Sequence, residues 1–286
     1  MNALGVDIGG THTKVALVEA TGAANLETFP TGADRVQLVA RIKDAARRHA
    51  EPVRGAGVAV AGFLNAARDR LSYNPNLEWL VGFPLRDALA DALGSRILLE
   101  VDSNAACLGE YRFGAGRGSK RFLCLAAGTG LGGAMVVDGA LLRFTGECIG
   151  DVGHVVVDAS GPPCPCGGRG CAEALVSERT IVEAAGAGET LRDVIHNARQ
   201  GHTQAAAALS QAGRALGIAM ASLAQIFAPD RIALAGGLAE AEELVMPQAE
   251  RSFQEAVNSE ARAQVSIVKA ALGWRAAVIG AAVPLI

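Results

Sequence analysis

Two apolar runs, each broken by a glycine turn and placed about 120 residues apart, constrain this chain more than any other feature. Residues 3–8 (ALGVDI) lead into Gly9-Gly10, and residues 14–19 (KVALVE) resume the run. Residues 122–127 lead into Gly128-Thr129-Gly130-Leu131-Gly132-Gly133, and residues 134–137 resume that one. Apolar runs of this length around a glycine turn read as β-hairpins. Their repetition implies two similar α/β domains, each offering a glycine turn to a shared cleft. A length of 286 residues accommodates two such domains. The boundary is expected near residues 109–120, giving a first domain over 1–110, completed by a C-terminal helix (275–286), and a second over 111–274.

Between the turns, spacing predicts a helix over 34–49, a strand over 55–61, a helix over 85–93, a strand over 96–101 and a helix start over 104–111. Further on it predicts a long Ala-rich helix over 203–228, a strand over 231–234, a helix over 240–257 and a terminal helix over 275–283. Half the residues are apolar, 19% are charged and only 4% are aromatic, so the cores are expected to be aliphatic. The net charge of −3 and the lack of a basic cluster argue against nucleic-acid binding. No secretory leader and no apolar run long enough for a membrane span stand out, so the sequence reads as a cytoplasmic protein.

The cysteines sharpen that reading. Cys164, Cys166 and Cys171 fall within eight positions, ten residues after His154. That spacing suits a tetrahedral metal better than disulfides, and four protein ligands make a closed, structural zinc site. Such a metal would fix Asp151 and Glu173 beside it. Cys107, Cys124 and Cys148 sit singly in apolar surroundings and read as buried thiols.

The first turn, Asp7-Ile8-Gly9-Gly10-Thr11-His12-Thr13-Lys14, lets backbone N–H groups approach phosphate, and Asp7 is placed to hold water on Mg²⁺. Neither glycine turn is a Walker A loop, and Gly128-x-Gly130-x-x-Gly133 is followed by a strand rather than the helix of a dinucleotide site. Asp102 ends a strand just before a helix. A carboxylate there serves either as base for a substrate hydroxyl or as a helix cap.

Together these segments resemble the ROK family of bacterial repressors and sugar kinases. DIGGTHTK is similar to its first phosphate loop, AAGTGLGGA to its second, and NPNLEW (74–79) to its sugar loop. VDSNAACLGE is similar to its catalytic-acid segment, GDVGHVVVDASGPPCPCGGRGCAE to its zinc signature, and LAGGL (234–238) to its nucleoside-side glycine pair. The resemblance implies an α/β fold of two actin-like, hexokinase-type (ribonuclease H-like) domains around a cleft, and ATP-dependent phosphorylation of a sugar's primary hydroxyl. It implies Asp102 as base, with Asn76, Asp102, Asp151, His154 and Glu173 on the sugar. Asp7, Gly9, Gly10, Thr11, Lys14, Gly128, Thr129, Gly130, Gly236 and Gly237 are implied for Mg²⁺-ATP, with a structural Zn²⁺ and a homodimer.

Three departures bear on the substrate. The sugar kinases of the family usually carry Asn before the catalytic acid, Glu three residues before the zinc His, and Pro-Gly in the first sugar loop. Here these are Val101, Asp151 and Ala61-Gly62. Val101 cannot hydrogen-bond and Asp151 is shorter by a methylene, which points away from plain glucose toward an amino sugar such as kanosamine, or a cyclitol. A regulator of the same family would carry a winged helix before the first phosphate loop, whose strand here begins at residue 3. Polyphosphate is an open alternative as donor.

Overall fold

The computed structural model describes residues 2–49, 53–144, 149–186 and 188–286; Cys148 lies outside them. The chain divides into two compact units. The first comprises the described residues of Met1–Arg117, Arg143–Cys148 and Trp274–Ile286, and the second those of Gly118–Leu142 and Ile149–Gly273.

In the first unit, β1 (Ala3–Ile8) is buried along its whole length, as expected of a continuous apolar run inside a sheet. It pairs antiparallel with β2 (His12–Glu19), which pairs antiparallel with β3 (Gly22–Pro30). On its other side lie β4 (Ala56–Val60) and then β7 (Ile97–Val101), both parallel. A small hairpin, β5 (Phe63–Leu64) and β6 (Leu71–Tyr73), stands apart. Helix α1 (Arg35–Arg48) begins where the Asp34 carboxylate accepts the N–H groups of Val36 and Gln37, and buries Leu38, Ile42 and Ala45. α2 (Leu85–Leu93) stops at Gly94, which takes the left-handed conformation of a C-cap. α3 (Asp102–Phe113) follows β7 without a loop.

The second unit repeats the plan. β8 (Arg121–Ala127) pairs antiparallel with β9 (Leu131–Val137), which pairs antiparallel with β10 (Ala140–Leu141). β8 is parallel to β11 (Arg231–Ala235), and β11 to β12 (Ser266–Lys269). The sheet orders β3-β2-β1-β4-β7 and β10-β9-β8-β11-β12 therefore correspond strand for strand. Helices α4 (Ala172–Val176), α5 (Glu178–Ala185), α6 (Leu191–Arg199), α7 (Thr203–Phe227), α8 (Glu242–Ala256) and α9 (Ser259–Gln264) belong to this unit. Ala-rich α7 is mostly buried and approaches α8 closely: a side chain at Gly217 would strike the Ala249 carbonyl.

The last helix, α10 (Ala276–Ala282), belongs to the first unit. A Cβ at Gly5 of β1 would overlap the Val278 carbonyl, and one at Gly57 of β4 the Ala281 carbonyl. Likewise, Cβ atoms at Gly280 and Gly109 would overlap the carbonyls of Ala105 and Ala276, so α3 and α10 touch backbone to backbone. Each sheet then presents the carboxyl ends of three parallel strands, the edge at which open α/β sheets take ligands. Gly280→Ala is expected to cost at least about 2 kcal/mol, because the methyl meets backbone that cannot rotate away. Chemical denaturation measures this, and a loss under about 0.5 kcal/mol would contradict the packing.

Candidate active site

The site residues of the first unit cluster at that edge. After β1 the chain reverses in a tight tip, where Gly9 N–H donates to the His12 carbonyl at 3.1 Å. Thr31, just beyond β3, braces the tip: its hydroxyl donates to the Gly9 carbonyl at 2.7 Å and its N–H to the Thr11 carbonyl at 2.9 Å. The cross-strand pair Asp7 and Lys14 forms a salt bridge of 2.7 Å, and the Lys14 ammonium lies 5.8 Å from the centre of the Trp274 ring. Asn76 stands against the tip, with its Cβ 3.2 Å from where a Cβ on Gly10 would be. Asn74 holds this arrangement, accepting the Asn76 N–H at 2.7 Å and donating to the Ala61 carbonyl at 2.9 Å.

Asp102 is the first residue of α3, where the helix dipole and the free N–H groups favour a negative charge. Its Oδ1 accepts the Ser103 N–H at 2.7 Å. The N-cap itself is Val101, so Asp102 is not the cap that its place before the helix allowed. Burial, and next the charge of Asp7, push the Asp102 carboxyl up to about 6, against the Ser103 N–H and Lys14, which act the other way. Asp7, Lys14 and Asp102 thus form one electrostatic group, with a carboxylate that is ionised at neutral pH yet basic enough to take a proton.

In the second unit, Gly128–Gly130 caps the β8–β9 hairpin, closed by the Gly128 N–H on the Gly130 carbonyl at 2.9 Å. Gly236, with φ of +85°, passes so close to Ala127 that a side chain would overlap its carbonyl, and the Gly237 nitrogen lies 3.9 Å from where a Cβ on Gly128 would be. The two glycine segments that sequence reasoning assigned separately therefore lie side by side. Thr129 is exposed at their apex. Glu173 accepts the Leu131 N–H at 2.9 Å, and a Cβ on Gly130 would collide with the same carboxylate oxygen.

One residue before α4, Cys171 gathers with Cys164, Cys166 and His154, their ligand atoms all within 4.8 Å of one another. Cys166 and Cys171 sulfurs are 3.7 Å apart, and the Cys164 sulfur is 3.6 Å from His154 Nδ1. Tetrahedral zinc, with Zn–S of about 2.3 Å and Zn–N of about 2.0 Å, requires separations near about 3.8 and 3.5 Å. The Cys171 thiol is pushed up to about 12 by burial and by the neighbouring thiols, so a thiolate there calls for a cation beside it. His154 Nε2 faces the Asp151 carboxylate at 3.5 Å, which orients the ring as the partner of a metal-binding histidine does.

Residues 3–285 match the ROK family. The chain belongs to that family. A glucokinase of Streptomyces coelicolor is 30% identical, with 98% of this chain and 96% of that protein aligned. A kanosamine kinase of Amycolatopsis mediterranei is also 30% identical, over 97% of this chain and 94% of its own length. The crystal structure of a ROK family glucokinase from Streptomyces griseus, in complex with glucose and AMPPNP, superposes with a TM-score of 0.81 at 29% identity, covering 99% of this chain and 98% of that one.

Sequence reasoning missed Asn74 and Thr31, which touch the site residues without carrying chemistry. Their signal was the neighbouring motif: Asn74 begins NPNLEW, and Thr31 follows Pro30 at a strand end. The raised Asp102 carboxyl has a consequence for stability. A carboxyl whose folded pKa exceeds its unfolded value of about 3.9 contributes stability that is full below that value and lost as pH rises through about 6. Asp102→Asn should therefore melt higher than the native protein at pH 7, with the gap closing below about pH 4. Equal melting temperatures at pH 7 would show that Asp102 is not held against its charge.

Proposed function

We propose that the chain is an ATP-dependent sugar kinase that phosphorylates a primary hydroxyl, as glucokinases do. The observation that carries this is Asp102, a carboxylate raised to about 6 at the end of β7 beside the Asp7–Lys14 pair, in a chain aligned almost end to end with sugar kinases. Asp102 accepts the proton of the sugar hydroxyl while that oxygen bonds to the γ-phosphorus and the bond to ADP breaks. N–H groups of Gly9, Gly10 and Thr11, and those of Gly128, Thr129 and Gly130, serve the phosphates, while Gly236 and Gly237 serve the nucleoside. Mg²⁺ arriving with ATP would spread the phosphate charge, with Asp7 holding its water and Lys14 adding a cation. Asn76, Asp151, His154 and Glu173 are the proposed sugar contacts.

Structural zinc is the metal that best suits His154, Cys164, Cys166 and Cys171. The relatives and the aliphatic, thiol-bearing composition support a cytoplasmic protein, and the family resemblance supports a homodimer. Among the described residues no helix is long and apolar enough to cross a membrane.

A second reading narrows the sugar. Val101 and Asp151 replace longer or polar contacts, and one of the relatives is a kanosamine kinase. A hydroxyl left unpaired in a closed pocket costs about 1–3 kcal/mol. Glucose is then a poor substrate, and an amino sugar or cyclitol a better one.

ADP release coupled to a sugar panel, with a polyphosphate arm, tests both readings. ATP-dependent turnover is expected on a hexose-like acceptor, and Asp102→Asn should reduce it roughly 10²–10⁴-fold while sugar still binds. Turnover of Asp102→Asn near that of the native protein would remove Asp102 as base. A native preference for glucose of tenfold or more over ring-altered analogues would overturn the narrower reading. Metal analysis should find about one zinc per chain, and Cys166→Ser should lose it and melt lower. A metal-free protein of full activity would contradict the zinc assignment.

A further inference from the structure

Glu100 lies on β7 two residues before Asp102, and the proposed chemistry gives it no task. Its carboxylate is buried, with 9% of the side chain exposed, and is held from several directions. Arg68 Nη2 and Arg143 Nη2 each donate to Oε2 at 2.5 Å, and Arg143 Nη1 to Oε1 at 3.2 Å. The Asn104 side-chain amide donates to Oε1 at 2.9 Å, and the Val101 N–H at 3.0 Å. Arg68 Nη2 also donates to the Leu99 carbonyl at 2.8 Å. Burial alone would raise this carboxyl, but the hydrogen bonds and charges of Arg143 and Arg68 outweigh it and hold it below the usual range.

The bonds have a pattern. They grip the chain at Leu99, Val101 and Asn104, on both sides of Asp102, and leave Asp102 itself untouched. Delivery of Arg68 is also unusual, since it sits in the β5–β6 loop with φ of +50°, a left-handed conformation that a non-glycine residue adopts only when its surroundings impose it. Asn65 holds that loop, with its side-chain oxygen accepting the N–H groups of Asp69 and Arg70. Arg143 comes from the other direction in sequence: it belongs to the first unit although it follows, in the chain, a stretch of the second. Both arginines border a cavity of about 300 Å³, together with Leu108 and Gly280, and their side chains remain 29% and 27% exposed.

A buried ion cluster is a poor way to gain stability, because desolvation consumes most of the attraction, whereas it defines geometry sharply. We propose that Glu100, clasped between Arg68 and Arg143, is a positioning residue that fixes the end of β7 and the first turn of α3, and so aims the Asp102 carboxylate. Its role is to hold Asp102 in place rather than to meet substrate or nucleotide itself. The inference rests on the reading of Asp102 as the base. A base displaced by about 1 Å can lose a factor of about 10² in rate.

Arg143→Ala tests it, since the remaining Arg68–Glu100 pair is one to one and leaves no carboxylate buried alone. In the full-length protein with its metal, kcat should fall about tenfold or more while KM for sugar and for ATP stay within about twofold. Arg143→Lys, which keeps the charge, should recover most of the loss. Amide hydrogen exchange over 101–104 should quicken in Arg143→Ala, with the rest of the sheet unchanged. Unaltered kcat, or a fall matched by the loss of folded protein, would overturn the positioning role. If the native protein phosphorylates no sugar, the kinase reading fails by itself. The exchange experiment still decides the clasp: unchanged exchange over 101–104 would overturn it.

Discussion

Helix α10 lies so near the first sheet that Gly5, Gly57, Gly109 and Gly280 have room for hydrogen and nothing larger. Two of these glycines seat α10 on β1 and β4, and two lock it against α3. The helix therefore joins the strand that carries Asp7 near its end to the helix that begins with Asp102. Backbone-to-backbone contacts do not flex as long side chains do, so the separation of these two carboxylates is built into the packing. Because Asp7 is a principal reason, after burial, for the raised Asp102 carboxyl, the chemistry inherits its setting from the glycines.

The second unit has a related device in its His–Cys knuckle, the proposed zinc site. Cys171 stands at the start of α4, and Glu173, two residues on, accepts the Leu131 N–H of the glycine hairpin. On the other side of α4, the Glu178 N–H donates to the Gly128 carbonyl at 2.8 Å. A short helix of five residues has little stability of its own, and the cysteine at its start belongs to the cluster of His154, Cys164 and Cys166. The same knuckle therefore bears on the proposed sugar contacts His154 and Glu173 and on the turn that the phosphates would meet.

Much of this was legible in the sequence, because the informative residues are local. Both glycine hairpins, the Asp102 strand–helix junction and the cysteine knuckle are continuous motifs, and α2 covers the span its spacing predicts. The strand β3 was not legible: GAANLETFP has no clean alternation, since it forms the edge of its sheet. Helices α5 and α6 carry helical spacing in Ile181, Ala185, Leu191, Val194, Ile195 and Ala198, yet no motif draws attention to them. The Glu100 clasp was beyond reach for a different reason. It assembles residues 68, 100, 104 and 143, and one of them arrives only because its backbone turns left-handed.

The account depends on one ionisation, that of a carboxylate held near 6 and needed as the base. The dependence of kcat/KM on pH, measured for the preferred sugar at sub-saturating Mg²⁺-ATP so that the free enzyme is titrated, tests it most directly. Activity should rise with pH along a single acid limb centred near 6, because only ionised Asp102 accepts the hydroxyl proton. A profile flat from about pH 4.5 to 7.5, or an acid limb centred near the ordinary aspartate value of about 3.9, would contradict it.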